Sequence, residues 1–360
     1  MAVERFSKYK NVLIARFSAL GDVAMTVPVV YSVCTAYPDT RFIMITQQVA
    51  SSLFINASSN LVVIGVDVKV KYHGVKGMCK LFRELRRDYS IDLFIDLHDV
   101  IRTYAIEACC LMSGVPFRRI RKGRSEKRKL TRSHGKQLHK LVSSHERYAD
   151  VFRRAGFNFA ESFVSLFRKP AEPSAFAEIT IPKQKGEIWI AIAPFAKHKG
   201  KIYPLEKMEQ AVATLSARSG TKIFLFGGSG SERDTLHEWA GRYGSNVISM
   251  AEKRYGFPKE LALLSYMDVM VSMDSANMHL ASLANVPVVS IWGATHPYCG
   301  FTGWKQPDGN IVQADLPCRP CSVFGNRPCR RGDYACLAAI SPEMIIEKID
   351  RVLSRSKSKE

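Results

Sequence analysis

Short, unbroken apolar runs recur along the chain, separated by stretches whose apolar residues fall at helical spacing. Residues 11–17 (NVLIARF), 41–46, 61–66 and 93–97 are such runs in the first half, and 188–193, 222–226, 269–273 and 286–292 in the second. Each has the length and β-branched content of a strand covered on both faces, where polar–apolar alternation disappears. Between them, helical spacing predicts helices over residues 22–37 (ending before Pro38), 75–87, 139–155 and 277–284, with further helix starts at Pro204 and Ser231. Strand and helix alternating in this way predict an α/β protein with doubly wound parallel sheets. Periodicity is weak over 169–186 (KPAEPSAFAEITIPKQKG), rich in Pro and Ala, which reads as a domain boundary. The expected layout is a first Rossmann-like domain over 1–170, a linker over 171–186 and a second Rossmann-like domain over 187–340. Ser341 then caps a last helix through Val352, followed by a basic tail expected to fray.

Polar residues gather where these strands end. The run 269–273 stops at Asp274 and Ser275, either of which can cap the helix that follows. A helix start beyond the carboxyl edge of a sheet offers free N–H groups to a phosphate or diphosphate, although the same pattern also describes a plain, well-capped βαβ unit. The first strand runs into Ser18-Ala19-Leu20-Gly21-Asp22. Asp22 in a first helical turn is favoured by the helix dipole alone, and a carboxylate facing a cleft from there can also act as a general base. His98 and Asp99 are expected to cap the helix that begins near Arg102. Gly227-Gly228-Ser229-Gly230 has the look of a phosphate cradle without the Lys-Ser/Thr ending of a P-loop, and Glu232 behind it again suits a helix start. No G-x-G-x-x-G follows the first strand, which speaks against a nicotinamide or flavin enzyme.

Composition narrows the partners. With 360 residues, 46% of them hydrophobic and 24% charged, the chain suits a soluble protein of two domains. Lys and Arg number 52 against 33 Asp and Glu, a formal charge of +19, so an anionic partner is expected: nucleic acid, an anionic membrane or a phosphorylated glycolipid. The charge is densest in FRRIRKGRSEKRKLTRSHGK (117–136), where Arg121, Lys122, Arg124, Lys127, Arg128 and Lys129 lie around a single acid, Glu126. This reads as a long, mobile insert whose crowded cations an anionic ligand would stabilise; the aromatic residues that stack single-stranded bases are missing. Before Arg16 there is neither a signal peptide nor a membrane span, so a cytoplasmic protein with mostly reduced cysteines is expected. Among its nine cysteines, Cys318, Cys321, Cys329 and Cys336 share one loop. They are either ligands of a structural zinc or free thiols around a packed loop, and their spacing matches no standard zinc ribbon.

Taken together, Ser18-x-x-Gly21-Asp22, Lys201-x-Tyr203-Pro204, Gly227-Gly228 with Glu232, Asp274-Ser275-x-x-x-His279, Trp292-Gly293-Ala294-Thr295 and the late cysteine cluster resemble glycosyltransferase family 9, the ADP-heptose:lipopolysaccharide heptosyltransferases. The resemblance runs over nearly the whole chain. It implies a GT-B fold, in which two Rossmann-like domains face a central cleft and the C-terminal helix (341–354) returns to the first. It also implies an inverting, metal-independent transfer of heptose from a nucleotide sugar to a lipopolysaccharide core or related glycolipid at the cytoplasmic face of the inner membrane, with no cofactor and no nucleic acid. Asp22 matches the general base. Lys201, Glu232, Asp274, Ser275, Ala276 and His279 match the donor site, while the basic insert lies in the half assigned to the acceptor. Ala276 stands where the family usually has Gly, and Ile202 and Tyr203 replace the usual Arg or His and Trp. A family member using another nucleotide sugar, and a non-enzymatic basic binding protein, are the competing expectations.

Overall fold

Eleven strands and twelve α-helices lie along the described residues of the computed structural model, 7–357. The first residues, on which the reading of the N-terminus in part rests, and the end of the basic tail (358–360) lie outside them. In chain order the first half contains β1 (Asn11–Ala15), α1 (Leu20–Ala36), β2 (Arg41–Gln47), α2 (Gln48–Ser51), β3 (Leu61–Val66), α3 (Gly74–Tyr89), β4 (Leu93–Asp96), α4 (Ile101–Met112), β5 (Phe117–Arg119), α5 (Arg124–Leu130) and α6 (Ser144–Arg154). The second half contains β6 (Ile188–Ala193), α7 (Leu205–Ser216), β7 (Thr221–Leu225), α8 (Ser231–Tyr243), β8 (Val247–Ser249), α9 (Phe257–Leu264), β9 (Val269–Met273), α10 (Ala276–Leu283), β10 (Val288–Trp292), β11 (Ile311–Gln313), α11 (Ala335–Ala338) and α12 (Pro342–Lys357).

The chain divides into two compact units, each built on one all-parallel sheet. In the first, the order is β3-β2-β1-β4-β5. Leu13 of the central β1 stands opposite Ile43 and Phe94, and Phe82, Leu85 and Ile106 of α3 and α4 bury their side chains on the same core. In the second, the order is β11-β10-β9-β6-β7-β8. Ile192 of the central β6 stands opposite Val271 and Leu225, in a core completed by Leu215, Trp239, Ile345 and Ile349. Central strands buried on both faces read as unbroken apolar runs, which is why they were legible in the sequence.

The expected boundaries need correction. The first unit ends at Gly123 and resumes over Val142–Val164, while Arg124–Leu141 and everything from Ser165 belong to the second. The segment 171–186 is no free linker: Phe176 is fully buried, its ring centroid 6.3 Å from that of Trp189 and 5.0 Å from that of Tyr266. The last helix, expected to return to the first unit, is part of the second, with Ile345, Ile349 and Val352 of α12 in the second core. It also runs past the expected end at Val352, to Lys357. The basic insert, expected as a loop, contains regular structure. Its start is β5, and α5 is anchored by Leu130, buried together with Leu141 and Cys299. No helix among the described residues is long and apolar enough to cross a membrane.

Candidate active site

Each sheet reverses its strand order once, and open α/β sheets leave a ligand crevice outside the strand ends at that point. The reversal lies between β1 and β4 in the first unit and between β6 and β9 in the second. The polar residues singled out in the sequence fall at both.

In the first unit, Asp22 is the third residue of α1. One of its carboxylate oxygens accepts from the Ala19 N–H (3.3 Å), closing the first turn, and is also 2.6 Å from the guanidinium of Arg16. The side chain is 29% exposed, so a ligand can reach it. Arg16 is buried and donates to the Leu97 carbonyl (2.8 Å), which ties the loop after β1 to the loop after β4. Burial opposes the charge on Arg16, yet Tyr148, Asp22 and Asp96 together raise its pKa above the ordinary value. A second tie across the reversal runs from the Phe17 N–H to His98 Nδ1 (3.3 Å), which puts the proton of the neutral ring on Nε2. Burial, reinforced by Arg16 and Lys122, pushes His98 down to about 3, so the ring is neutral at physiological pH. His98 and Asp99 do not cap the next helix as expected. Val100 occupies that position and its N–H is taken by Thr103 Oγ1 (3.0 Å), while Asp99 accepts from the Tyr104 hydroxyl (2.7 Å).

In the second unit, Lys201 follows β6 and Asp274 follows β9, and their side chains meet across the reversal at 2.8 Å. Lys201 Nζ also donates to the Asp274 carbonyl (3.0 Å). Gly325, at φ +74°, lies against the lysine stem; a Cβ there would come within 2.7 Å of Lys201 Cγ. Asp274 is therefore an ion-pair partner and not a cap. Ser275 holds the N-cap position of α10 without a side-chain cap bond; its hydroxyl is 3.3 Å from that of Ser272. Ala276 opens α10 in ordinary helical conformation, so alanine fits where the family usually has glycine. His279, one turn further on, is buried. Glu232 is the second residue of α8 and accepts from the Gly228 N–H (2.6 Å), bracing the glycine turn after β7. Tyr203 is a core residue whose hydroxyl donates to the Ile340 carbonyl (3.0 Å).

The cations of the insert are parted. Arg121 and Lys122 stay with the first unit, where Lys122 donates to the Asp99 carbonyl (3.2 Å) near His98. Arg124, Lys127, Arg128 and Lys129 lie on α5 in the second, with Lys127 Nζ 4.3 Å from the Phe301 ring centroid. Lys136 donates to the carbonyls of Pro317, Cys318 and Pro320, fastening this segment to the cysteine loop. Within that loop Cys336 belongs to the apolar core, and burial pushes its thiol up to about 11. Among the described residues no three His, Cys, Asp or Glu side chains are gathered as ligands of one metal ion.

Residues 78–329 match the profile of glycosyltransferase family 9 (heptosyltransferase). The chain belongs to this family. It is 23% identical over 311 residues to lipopolysaccharide heptosyltransferase 3 of Escherichia coli K12, covering 81% of this chain and 84% of that protein. A shorter match, 28% identical over 93 residues, joins it to lipooligosaccharide heptosyltransferase 2 of Campylobacter jejuni, 26% of this chain and 28% of that protein. The solved structure of E. coli ADP-heptose LPS heptosyltransferase II superposes with a TM-score of 0.69 at 16% identity, over 97% of this chain and 99% of that one. Two parallel-sheet α/β units of the GT-B class are thus shared with a family 9 enzyme of known structure.

Two contributors escaped the sequence reading. Arg16 carried no motif of its own. Arg319 looked like one more basic residue among cysteines, yet it is buried and donates to the carbonyls of Trp292, Gly293, Thr295 and Ala314 and to the Gln313 side chain. An arginine between two apolar segments, directly before a proline, is the only signal the sequence offered.

Proposed function

We propose that this family 9 chain is an inverting glycosyltransferase that moves a heptose from a nucleotide sugar, ADP-heptose being the first choice, to a lipopolysaccharide core or related glycolipid. The observation that carries the reading is the charged pair at the strand reversal of each unit: a reachable carboxylate held by Arg16 in one, a lysine held at a helix start in the other. Asp22 takes the proton of the acceptor hydroxyl as its oxygen attacks the anomeric carbon, and the bond to the diphosphate breaks on the opposite face. Arg16 holds the Asp22 carboxylate in place for this role. Negative charge growing on the departing nucleoside diphosphate is met by Lys201 and by the N–H groups around Ser275 and Ala276 at the start of α10, with His279 beside them. The mechanism draws on no metal or cofactor. Glu232 receives the nucleoside ribose, exchanging its contact with Gly228. Arg121 and Lys122, with Arg124, Lys127, Arg128 and Lys129, attract the phosphates and acidic sugars of an acceptor anchored in the cytoplasmic leaflet, where the enzyme works as a peripheral protein.

Asp22→Asn keeps the shape of the turn and removes the base. It should lower kcat by about 10² to 10⁴ while nucleotide-sugar affinity, measured by calorimetry, and the melting temperature change little. Unchanged turnover would reduce Asp22 to a helix-end residue. Calorimetry with a panel of nucleotide sugars decides the donor.

A further inference from the structure

Helix α4 is apolar on the wrong side. Its inner face, with Ala105, Ile106, Cys109 and Cys110, lies in the core of the first unit. Its outer face, Ile101, Tyr104, Ala108, Leu111 and Met112, recurs at helical spacing and is also apolar. Ile101, Leu111 and Met112 are 75%, 71% and 81% exposed. An exposed helix face normally carries charge. Here the sole acid of the helix, Glu107, is buried and paired with Arg119.

Cations rim this stripe on both sides. On α3, Cys79 approaches the Ala105 carbonyl of α4 (3.9 Å), and one turn on Arg83 is exposed, donating to the Cys79 carbonyl (3.3 Å). Arg86 reaches past the end of α4 to the Ser113 carbonyl (3.3 Å). Opposite, the guanidinium of Arg119 lies 4.3 Å from the Tyr104 ring centroid. Arg102 stands at the helix start.

We infer that the outer face of α4 is the membrane-docking surface of this protein, lying in the interface of an anionic bilayer with Ile101, Tyr104, Leu111 and Met112 among the acyl-chain ends and Arg83, Arg86 and Arg102 on lipid phosphates. An apolar helix face flanked by cations is the pattern of an interfacial helix. A second copy of the chain is the poorer occupant, since a twofold contact through α4 brings one arginine rim against the other. The inference rests on the proposed function in one respect: a glycolipid acceptor gives the enzyme a reason to meet a bilayer. It moves the main docking surface from the basic insert to a helix that the sequence reading passed over.

The test is cosedimentation of the full chain with phosphatidylglycerol and with phosphatidylcholine vesicles. The parent should bind the anionic vesicles at least tenfold more tightly, and Ile101→Ser, Leu111→Ser and Met112→Ser combined should lose at least tenfold on them. The three positions are exposed, so melting temperature and transfer to a deacylated, water-soluble acceptor should stay as in the parent. Equal binding by parent and variant overturns the inference. So does a parent that is dimeric by light scattering when the variant is monomeric, which assigns the stripe to a second copy. Vesicle binding that depends on α4, in a protein that transfers no sugar to any acceptor, leaves the inference standing and removes the proposed function instead.

Discussion

Asp274 shows how one residue can satisfy a sequence rule and do something else. A short polar side chain after a strand and before a helix reads as a cap, but its oxygen is 2.8 Å from Lys201 and both side chains are largely buried. A buried charge that loses its partner is costly, by about 3 to 5 kcal/mol. Asp274→Asn should therefore destabilise the unliganded protein and make nucleoside diphosphate a substitute counter-ion. In thermal shift, saturating ADP should raise the melting temperature of this variant by more than it raises that of the parent. Lys201→Ala should weaken ADP binding roughly tenfold to a hundredfold, the range of one hydrogen bond to a charged group. Equal shifts in parent and Asp274→Asn would mean that Lys201 does not meet the diphosphate.

Elements are joined here by single buried polar side chains. Arg319 gathers carbonyls from the end of β10 and the residues after β11, so its guanidinium does the work that a strand partner would do in a longer sheet. Burial lowers its pKa, but each of its three nitrogens finds an acceptor, which is the condition for keeping such a group inside. Arg319→Met preserves bulk and leaves those carbonyls without donors. A loss of about 3 kcal/mol or more is expected, read as a lower midpoint in urea with an unchanged slope. A midpoint equal to that of the parent would show that water replaces the guanidinium. In helix α5, Leu130 is the one buried residue of a segment that is otherwise mostly charge, and it shares a small apolar cluster with Leu141 and Cys299.

At the scale of the whole molecule, the buried histidines should set the acid limit of stability. His98 is held at about 3 and His296, buried and near Arg319, at about 4, against about 6.5 in an unfolded chain. The unfolded chain therefore binds more protons than the native one between these values. Stability is complete above pH 6.5, falls as the pH drops below it, and levels off for each ring below its folded value, the slope being at most about 1.4 kcal/mol per pH unit for each histidine. Melting temperature against pH should show this decline. His98→Asn, which keeps an acceptor for the Phe17 N–H, should flatten it; the same decline in parent and variant would place the proton uptake elsewhere.

The alternation of apolar runs with helical stretches, the polar residues at the strand ends and the family motifs are all local, and they were enough to read two doubly wound sheets and to point at Asp22, Lys201 and the start of α10. What the sequence alone could not decide was which polar residues meet. Arg16 finds Asp22 within a few residues, but Phe17 with His98, Lys201 with Asp274 and Arg319 with the end of β10 are brought together by strand order, which no single segment encodes. The same holds for allegiance. The insert looked like one loop and α12 like a helix of the first unit, yet burial of Leu130 in one case and of Ile345, Ile349 and Val352 in the other placed both in the second. Periodicity reports how apolar a face is; only the assembled core determines which neighbour covers it, or, for α4, that its outer face stays exposed among the described residues.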